Sequence, residues 1–212
     1  MSQLDFAALL CSRLCHDLVS PVGAISNGLE ILGDTTDASL REQVVDLLNK
    51  SAKQTSNKLQ FFRLAFGAAG GFSAELDYGE AKKALDAFLE GSRIELDWHV
   101  PPGSGNKSIV KLVLNMALIA SETLIRGGTL SVTFGYVSTD KPGMPSSVTV
   151  MATGDRVIAQ ASVGQALEAD LKEDDLEPRT APVYLARQCA EELDYKLEFA
   201  VEEEGKFQLV AK

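Results

Sequence analysis

The first third of the chain carries two stripes of apolar side chains at helical spacing. Successive members of the first stripe are three or four residues apart, at Leu14, Leu18, Val22, Ile25, Leu29 and Leu32. This spacing is typical of one face of an amphipathic helix and predicts a helix from about Leu4 to Leu32. Gly33 follows in the position of a helix stop.

A second helix is predicted to begin almost at once. A short polar link, 34–38, leads into Ser39-Leu40-Arg41-Glu42, which is typical of a capping box closed by Ser39 and Glu42. The stripe beyond it covers about 27 residues, or roughly 40 Å of helix. Its members are Leu40, Val44, Leu47, Leu48, Ala52, Leu59, Phe62 and Phe66. Two helices alone cannot bury both stripes, so we expect dimerisation into a four-helix bundle.

Helix and strand patterns alternate in the rest of the chain. The glycine-rich stretch 67–71 ends the helical pattern and indicates a boundary. Predicted helices then cover about 77–90, 106–125, 160–171 and 180–193, and predicted strands 94–100, 129–137, 147–152, 196–201 and 206–210, with a turn at 140–143. The sequence therefore predicts an α + α/β fold, with a helical hairpin over 1–68 and an α/β sandwich over 72–212.

Charge narrows the classes of partner. The chain has 212 residues with 20 Lys and Arg against 30 Asp and Glu, a net charge of -10. Nucleic acids and anionic membranes are bound by clustered basic side chains, so this balance argues against both and favours protein partners. The charge is uneven, because residues 1–67 carry -1 and residues 68–212 carry -9.

Cysteine use and hydropathy indicate the compartment. Cys11, Cys15 and Cys189 are odd in number and lack the spacing of a zinc or redox site, so neither a metal site nor a disulfide framework is predicted. No apolar run approaches the roughly 18 residues of a membrane span, and the start of the chain lacks a basic signal-peptide region. We expect a soluble cytoplasmic protein.

His16 is the strongest candidate for chemistry in the hairpin. On a helical wheel the first apolar stripe centres about 170° from His16, so its imidazole is predicted to face solvent on one surface with Arg13 and Ser20. Pro21 follows five residues after His16, inside the predicted helix. Proline has no backbone N–H to donate, and in a helix interior this costs about 3 kcal/mol. Either the proline kinks a long helix around its core, or it marks a local helix boundary.

Residues 15–22, Cys-His-Asp-Leu-Val-Ser-Pro-Val, resemble the phosphoacceptor box of sensor histidine kinases. The pattern of that family is histidine, acid, apolar, any residue, Thr or Asn or Ser, proline, apolar, and every position fits. In the family this box lies in the first helix of a hairpin that dimerises as a four-helix bundle. The resemblance implies that His16 is phosphorylated on its ring.

The same resemblance suggests roles for the neighbours of His16. Asp17 stands at the position of the assisting acid, which would hold the ring tautomer or accept its proton, although consecutive helical residues point about 100° apart. Ser20 stands where kinases carry a residue that positions water, or it contacts the receiver. Arg13 would meet receiver carboxylates or the moving phosphate, unless it is only a solubilising charge.

Kinases of this family carry an ATP-binding sandwich, and here its key positions differ. The helix around Asn115 resembles the asparagine box, but the second, magnesium-binding asparagine falls on Ile119. Ala152 replaces the aspartate that reads adenine, and Arg156 replaces a glycine. The later glycine-rich loop corresponds to 177–182 and has no glycine, while 168–177 holds six acidic residues. The nucleotide site is therefore predicted to be lost.

A phosphoacceptor hairpin beside such a sandwich resembles the ChpT-type histidine phosphotransferases of alphaproteobacterial phosphorelays. The similarity is carried by Leu14-Cys15-His16-Asp17, Gly28-Leu29-Glu30-Ile31-Leu32 and the segment 59–68, and it is weaker in the sandwich. It implies transfer from the receiver domain of a hybrid kinase to response regulator receivers, including the CtrA type. A neutral imidazole is a competent nucleophile near pH 7, and Mg²⁺ would come from the receiver, so no cofactor is expected in this chain.

Two other functions stay open at this point. One is an autophosphorylating kinase with a divergent ATP site, and the other is a noncatalytic dimeric scaffold that binds a receiver. His99, the second histidine, is predicted to be structural or at the surface because no acid-base partner is evident near it. Cys11 and Cys15, one helical turn apart, are expected to be buried as small apolar side chains.

Overall fold

The computed structural model describes residues 2–67, 75–136, 144–168, 177–202 and 205–212. The helices are α1 (Gln3–Asp34), α2 (Ala38–Ala65), α3 (Tyr78–Leu89), α4 (Lys107–Ser121), α5 (Ala161–Leu167) and α6 (Ala181–Glu192). The strands are β1 (Glu75–Asp77), β2 (Ile94–His99), β3 (Ser104–Asn106), β4 (Gly128–Gly135), β5 (Ser147–Thr153), β6 (Leu197–Glu202) and β7 (Lys206–Ala211). The predicted helical hairpin followed by an α/β sandwich is confirmed.

Some sequence predictions fall outside the described residues. These are the glycine-rich boundary beyond residue 67, the turn at 140–143, the end of the predicted helix 160–171 and most of the acidic segment. Below, the hairpin means α1 and α2, and the sandwich means residues 75–212.

The start of α2 differs from the prediction. The capping residue is Asp37, whose Oδ1 accepts hydrogen bonds from the backbone N–H groups of Ser39 at 2.8 Å and Leu40 at 3.4 Å. Ser39 therefore lies in the first turn instead of capping it, and the predicted capping box with Glu42 is wrong. Aspartate is an equally good cap, and it comes two residues earlier in the chain.

The sandwich is a five-stranded mixed sheet with helices on one face. Its strand order is β2-β4-β5-β7-β6, with β2 and β4 parallel and the other pairs antiparallel. Alternate side chains form buried rows across the sheet, because register aligns Leu130 with Ala152 and Phe207. Helix α4 is apolar on nearly all sides and is buried accordingly. Strands β1 and β3, of three residues each, pair separately and were not predicted.

One hydrophobic core continues from the hairpin into the sandwich. Phe61 and Phe62, near the end of α2, are 0% and 1% exposed, and Phe61 stacks on Phe88 of α3 with ring centroids 4.2 Å apart. In the same half of the hairpin, Phe6, near the start of α1, lies 4.9 Å from Tyr184 of α6, centroid to centroid. The proximal half of the hairpin is thus embedded in the sandwich. The division at residues 68–72 stays a prediction.

The distal half of the hairpin leaves apolar side chains exposed. The two helices approach closely at Gly28, where a Cβ atom would lie 2.8 Å from Leu48. The other side of α1 is uncovered: Val19, Val22 and Leu29 are 69%, 48% and 58% exposed. Contiguous exposed apolar side chains of this kind are typical of an interaction surface.

By length and composition α1 also meets the criterion for a membrane-spanning helix over Leu4–Asp34, which the sequence pattern did not lead us to expect. One such helix is weak evidence, because core helices of soluble proteins and signal sequences meet the same criterion. The absence of a membrane partner stays a prediction.

Candidate active site

His16 lies on α1 where the hairpin leaves the sandwich. Its side chain is 78% exposed, so the exposure predicted from the helical wheel is observed. Its Nδ1 lies 3.0 Å from Oδ1 of Asp17. The two side chains therefore meet although consecutive helical residues diverge.

The hydrogen-bond partner of Nδ1 determines which nitrogen of the neutral ring carries the proton. A carboxylate can only accept hydrogen bonds, so in the neutral ring Nδ1 carries the proton and donates to Asp17. Nε2 then keeps its lone pair and takes no part in this bond. An exposed imidazole with an unprotonated Nε2 and an oriented Nδ1–H is poised as a nucleophile.

Arg13 is buried, which corrects the prediction that it shares the exposed face of His16. Its side chain is 7% exposed, Nε donates to Oδ2 of Asp17 at 3.1 Å, and Nη2 donates to Oε1 of Glu122. Burial opposes the charge of Arg13, but the two carboxylates outweigh it and raise the pKa of the guanidinium above its ordinary value. Arg13 is thus occupied inside the protein.

Glu122 was not a sequence candidate. It is the C-terminal capping residue of α4, in the sandwich, and lies 109 positions from Arg13 in the sequence. No local pattern links the two residues, because only the packing of hairpin against sandwich brings them together. The site is therefore shared between the two parts of the fold.

Pro21 lies inside α1, which is continuous from Gln3 to Asp34, so it does not mark a helix boundary. Proline has no N–H to donate to the carbonyl four residues earlier, which is that of Asp17. Nζ of Lys58, on α2, donates to this carbonyl oxygen at 3.0 Å. Lys58 thereby satisfies the group that the proline leaves free and ties the two helices together beside His16.

A cavity of about 310 Å³ opens beside the imidazole. It is lined by Arg13, His16, Asp17, Glu122, Glu177, Pro178 and Arg179. The last three belong to the segment before α6, where Nη1 of Arg179 donates to Gln160 at 2.6 Å. Ser20 is exposed one turn beyond His16 and is not among the lining residues. The structure thus groups Arg13, Asp17 and His16, with Ser20 outside the cavity.

The chain is similar to known proteins in both sequence and structure. The sequence profile of the family described as histidine phosphotransferase C-terminal domain matches residues 78–205, more than half of the chain. The chain belongs to the histidine phosphotransferase family.

Two relatives from the comparisons bear phosphotransferase descriptions. Protein phosphotransferase ChpT of Brucella abortus (strain 2308) is 42% identical over 140 residues, which cover 66% of this chain and 66% of that protein. A solved structure described as a bacterial phosphotransferase is 32% identical, with a TM-score of 0.87, over 100% of this chain and 98% of the other. The resemblance to ChpT-type histidine phosphotransferases is confirmed.

In this member of the histidine phosphotransferase family, three of the positions that correspond to a kinase ATP site, Asn115, Ile119 and Ala152, lie in the core. Asn115 is fully buried, and its Nδ2 donates to the carbonyl oxygens of Ala65 at 3.0 Å and Lys111 at 2.8 Å. Ile119 and Ala152 are 4% and 0% exposed. Across the described ranges, no group of three or more His, Cys, Asp or Glu side chains could hold a metal ion.

The other histidine does have an acidic neighbour, which corrects the expectation that none exists. Nε2 of His99 lies 2.8 Å from Oδ2 of Asp97, and both side chains are about half exposed. They are two residues apart on β2 and so point to the same side of the sheet. His99 is at the surface, as predicted.

The cysteines divide into two kinds. Cys11 and Cys15 are exposed on α1, so the expectation that they are buried is wrong. Their side of the helix is the one that the hairpin leaves uncovered. Cys189 is buried in α6, and its burial, with the nearby Glu192, raises the pKa of the thiol to about 12.

Proposed function

We propose that this chain is a histidine phosphotransferase of a multistep phosphorelay, with His16 as the phosphoacceptor. The observation that carries the proposal is the geometry of the ring: Nδ1 lies 3.0 Å from Oδ1 of Asp17, Nε2 takes no part in that contact, and the side chain is open to a partner. Membership of the histidine phosphotransferase family supports it.

The proposed reaction moves one phosphoryl group in two steps. Nε2 of His16 attacks the phosphorus of a receiver's aspartyl phosphate, the Nε2–P bond forms, and the P–O bond to the aspartate breaks. The aspartate leaves as a carboxylate, Nδ1 keeps its proton, and Asp17 stabilises the resulting positive ring. A second receiver's aspartate then attacks the same phosphorus and restores neutral His16. Positioning and charge neutralisation dominate such transfers.

The proposal does not use ATP. The side chain of Asn115 is held by two carbonyl oxygens in the core, and Ala152 supplies no carboxylate where an adenine would be read. The Mg²⁺ that phosphoryl transfer requires would be held by the acidic pocket of the receiver, so this chain needs no metal or cofactor of its own.

Receiver domains are the proposed partners. The donor would be the receiver of a hybrid histidine kinase, and the acceptors would be response regulator receivers, with the CtrA type suggested by the resemblance. Ser20, exposed one turn from His16, is a proposed contact of the receiver, whereas Arg13 would act from inside the protein. The proposed place of action is the cytoplasm.

The direct test is transfer between purified proteins. A receiver domain labelled with radioactive phosphate on its aspartate is mixed with the chain, and a second, unlabelled receiver is added later. We expect the label to reach the chain in an acid-labile, alkali-stable form, as for a phosphohistidine, and then the second receiver. Labelled ATP with Mg²⁺ should give no label. Label from ATP, or none from the phospho-receiver, would contradict the proposal.

We also propose that the chain is a homodimer whose four-helix bundle is formed by the uncovered face of the hairpin. Apolar side chains on that face recur along α1 in steps of three or four residues, as in the seam of a helix bundle. Its exposed members on the two helices are Leu4, Val22, Leu29, Leu40 and Leu47. A second copy would bury the same side chains from both partners.

A charge in this face should break the dimer. In Leu29→Glu the twofold axis would bring two carboxylates into an apolar interface, so we expect the dissociation constant to rise by about 100-fold or more. Sedimentation equilibrium over a range of concentrations measures it. The matched control is Asn27→Glu, which puts the same charge on the opposite, exposed side of α1. Equal association of both variants would refute the interface.

A further inference from the structure

We propose that Glu122 is a positioning residue for phosphoryl transfer: through Arg13 and Asp17 it holds the ring of His16 with Nε2 unprotonated. This inference rests on the proposed function and extends the active site into the sandwich.

The contacts form an unbroken chain from the sandwich to the ring. Oε1 of Glu122 accepts from Nη2 of Arg13, Nε of Arg13 donates to Oδ2 of Asp17 at 3.1 Å, and Oδ1 of Asp17 faces Nδ1 of His16 at 3.0 Å. The side chains of the two middle members are the least exposed, at 7% for Arg13 and 14% for Asp17, against 30% for Glu122 and 78% for His16. The bond between Arg13 and Asp17, which orients the carboxylate, is therefore the best shielded from solvent.

Asp17 needs the hydrogen bond from Arg13 because its position next to His16 on the helix does not by itself direct the carboxylate towards the ring. Consecutive residues of a helix point about 100° apart, so the carboxylate must be held in a specific rotamer to meet His16. Both of its oxygens are engaged, one by Arg13 and one by the imidazole. A rigid guanidinium that is itself fixed can hold a carboxylate in one orientation.

Arg13 needs Glu122 for the same reason. Its bond to Asp17 joins residues four apart on one helix, and such a pair alone leaves the outer end of the guanidinium free to turn. Glu122 fixes that end from a different element, since it follows α4 and its backbone N–H is held by the carbonyls of Leu118 and Ala120. Without Glu122, a buried Arg13 would turn both ends towards Asp17 and draw Oδ1 away from His16.

In this arrangement the sandwich contributes to phosphoryl transfer without binding a nucleotide. The end of α4 fixes the orientation of side chains on α1, at the point where α1 leaves the core. Glu122 also lines the cavity beside His16, but in this proposal it acts through Arg13 and not by contact with the partner.

The first test compares Glu122→Gln and Glu122→Ala with Glu90→Gln. Glu90 is the matched control, because it also ties two elements, accepting from Lys53 and Asn57 of α2, but lies away from His16. We expect the rate of phosphoryl transfer to fall on the order of 10-fold in Glu122→Ala, less in Glu122→Gln, and less than twofold in the control.

The ring itself gives a second readout, independent of activity. Nitrogen-15 NMR of the imidazole distinguishes a proton fixed on Nδ1 from an exchanging mixture of tautomers. The wild type should show His16 with its proton on Nδ1, and both Glu122 variants should shift it towards the mixture, while His99 stays unchanged. An unaltered His16 spectrum in Glu122→Ala would overturn the inference.

A double-mutant cycle separates positioning from a general structural role. If Glu122 acts through Asp17, then Glu122→Ala should change the transfer rate by less than twofold when Asp17→Asn is already present. A full 10-fold loss in that background would refute the proposed chain. Should the wild type accept no phosphoryl group at all, the proposed function fails, and the NMR comparison still decides whether Glu122 positions His16.

Discussion

His16→Ala is expected to accept no measurable phosphoryl label from a phosphorylated receiver, a loss of about 1,000-fold or more in transfer rate. In the proposed reaction the imidazole is the attacking group, and its methyl replacement leaves nothing to form the N–P bond. Its side chain is 78% exposed, so its removal should leave the melting temperature within about 2 °C of the wild type. Transfer is measured by label on the chain at short times, and folding by thermal denaturation.

His99→Ala is the natural control, since His99 is the only other histidine. Both rings are exposed and both face a carboxylate, but through different nitrogens: Nδ1 in His16 and Nε2 in His99. Asp97 is also 49% exposed, against 14% for Asp17. We expect His99→Ala to transfer at the wild-type rate. If acid-labile phosphate persisted on His16→Ala but was lost in His99→Ala, the phosphoacceptor would be His99 and the prediction would be wrong.

Ala152→Asp is expected to destabilise the protein strongly without restoring an ATP site. Ala152 is 0% exposed on β5, in the buried row between Leu130 and Phe207. A carboxylate there would be buried without a partner, which costs about 3–5 kcal/mol. For a chain of this size that lowers the melting temperature by roughly 6–20 °C. Calorimetric titration with Mg²⁺ and ATP should show no binding, because Asn115 is held inside the core.

Thr153→Asp provides the comparison. The next residue of β5 points to the opposite face of the sheet and is partly exposed, so the same charge should cost much less there. Two results would contradict this account: equal melting temperatures for the two aspartate variants, or micromolar ATP binding by Ala152→Asp.

Periodicity alone predicts much of the fold. The spacing of apolar residues predicts both long helices, and the alternation of apolar and polar residues predicts five of the strands. Each of these five strands has six or more residues, which is long enough for the alternation to be recognised. The cap at Asp77 was also predictable, because its side chain and the backbone N–H of Glu80 lie within one turn. The short strands β1 and β3 were missed because three residues are too few to show a period.

The exposed ring of His16 and its neighbour Asp17 could likewise be found from the sequence. The burial of Arg13 could not, since a helical wheel shows a face and not what covers it. Glu122 and Lys58 were missed for the same reason: each meets α1 only through the packing of distant segments. Local pattern therefore identifies the proposed nucleophile, whereas the groups that hold it in place depend on tertiary structure.

The shared core has a consequence for any attempt to graft the phosphoacceptor onto another scaffold. Cutting the chain after Gly67 would bare Phe61, Phe62 and Leu64, which are packed in the core. It would also remove Glu122, one of the two carboxylates that pair with Arg13. We therefore expect that the hairpin cannot be transferred alone. A chimera that preserves the environment of His16 must include α3 and α4 as well.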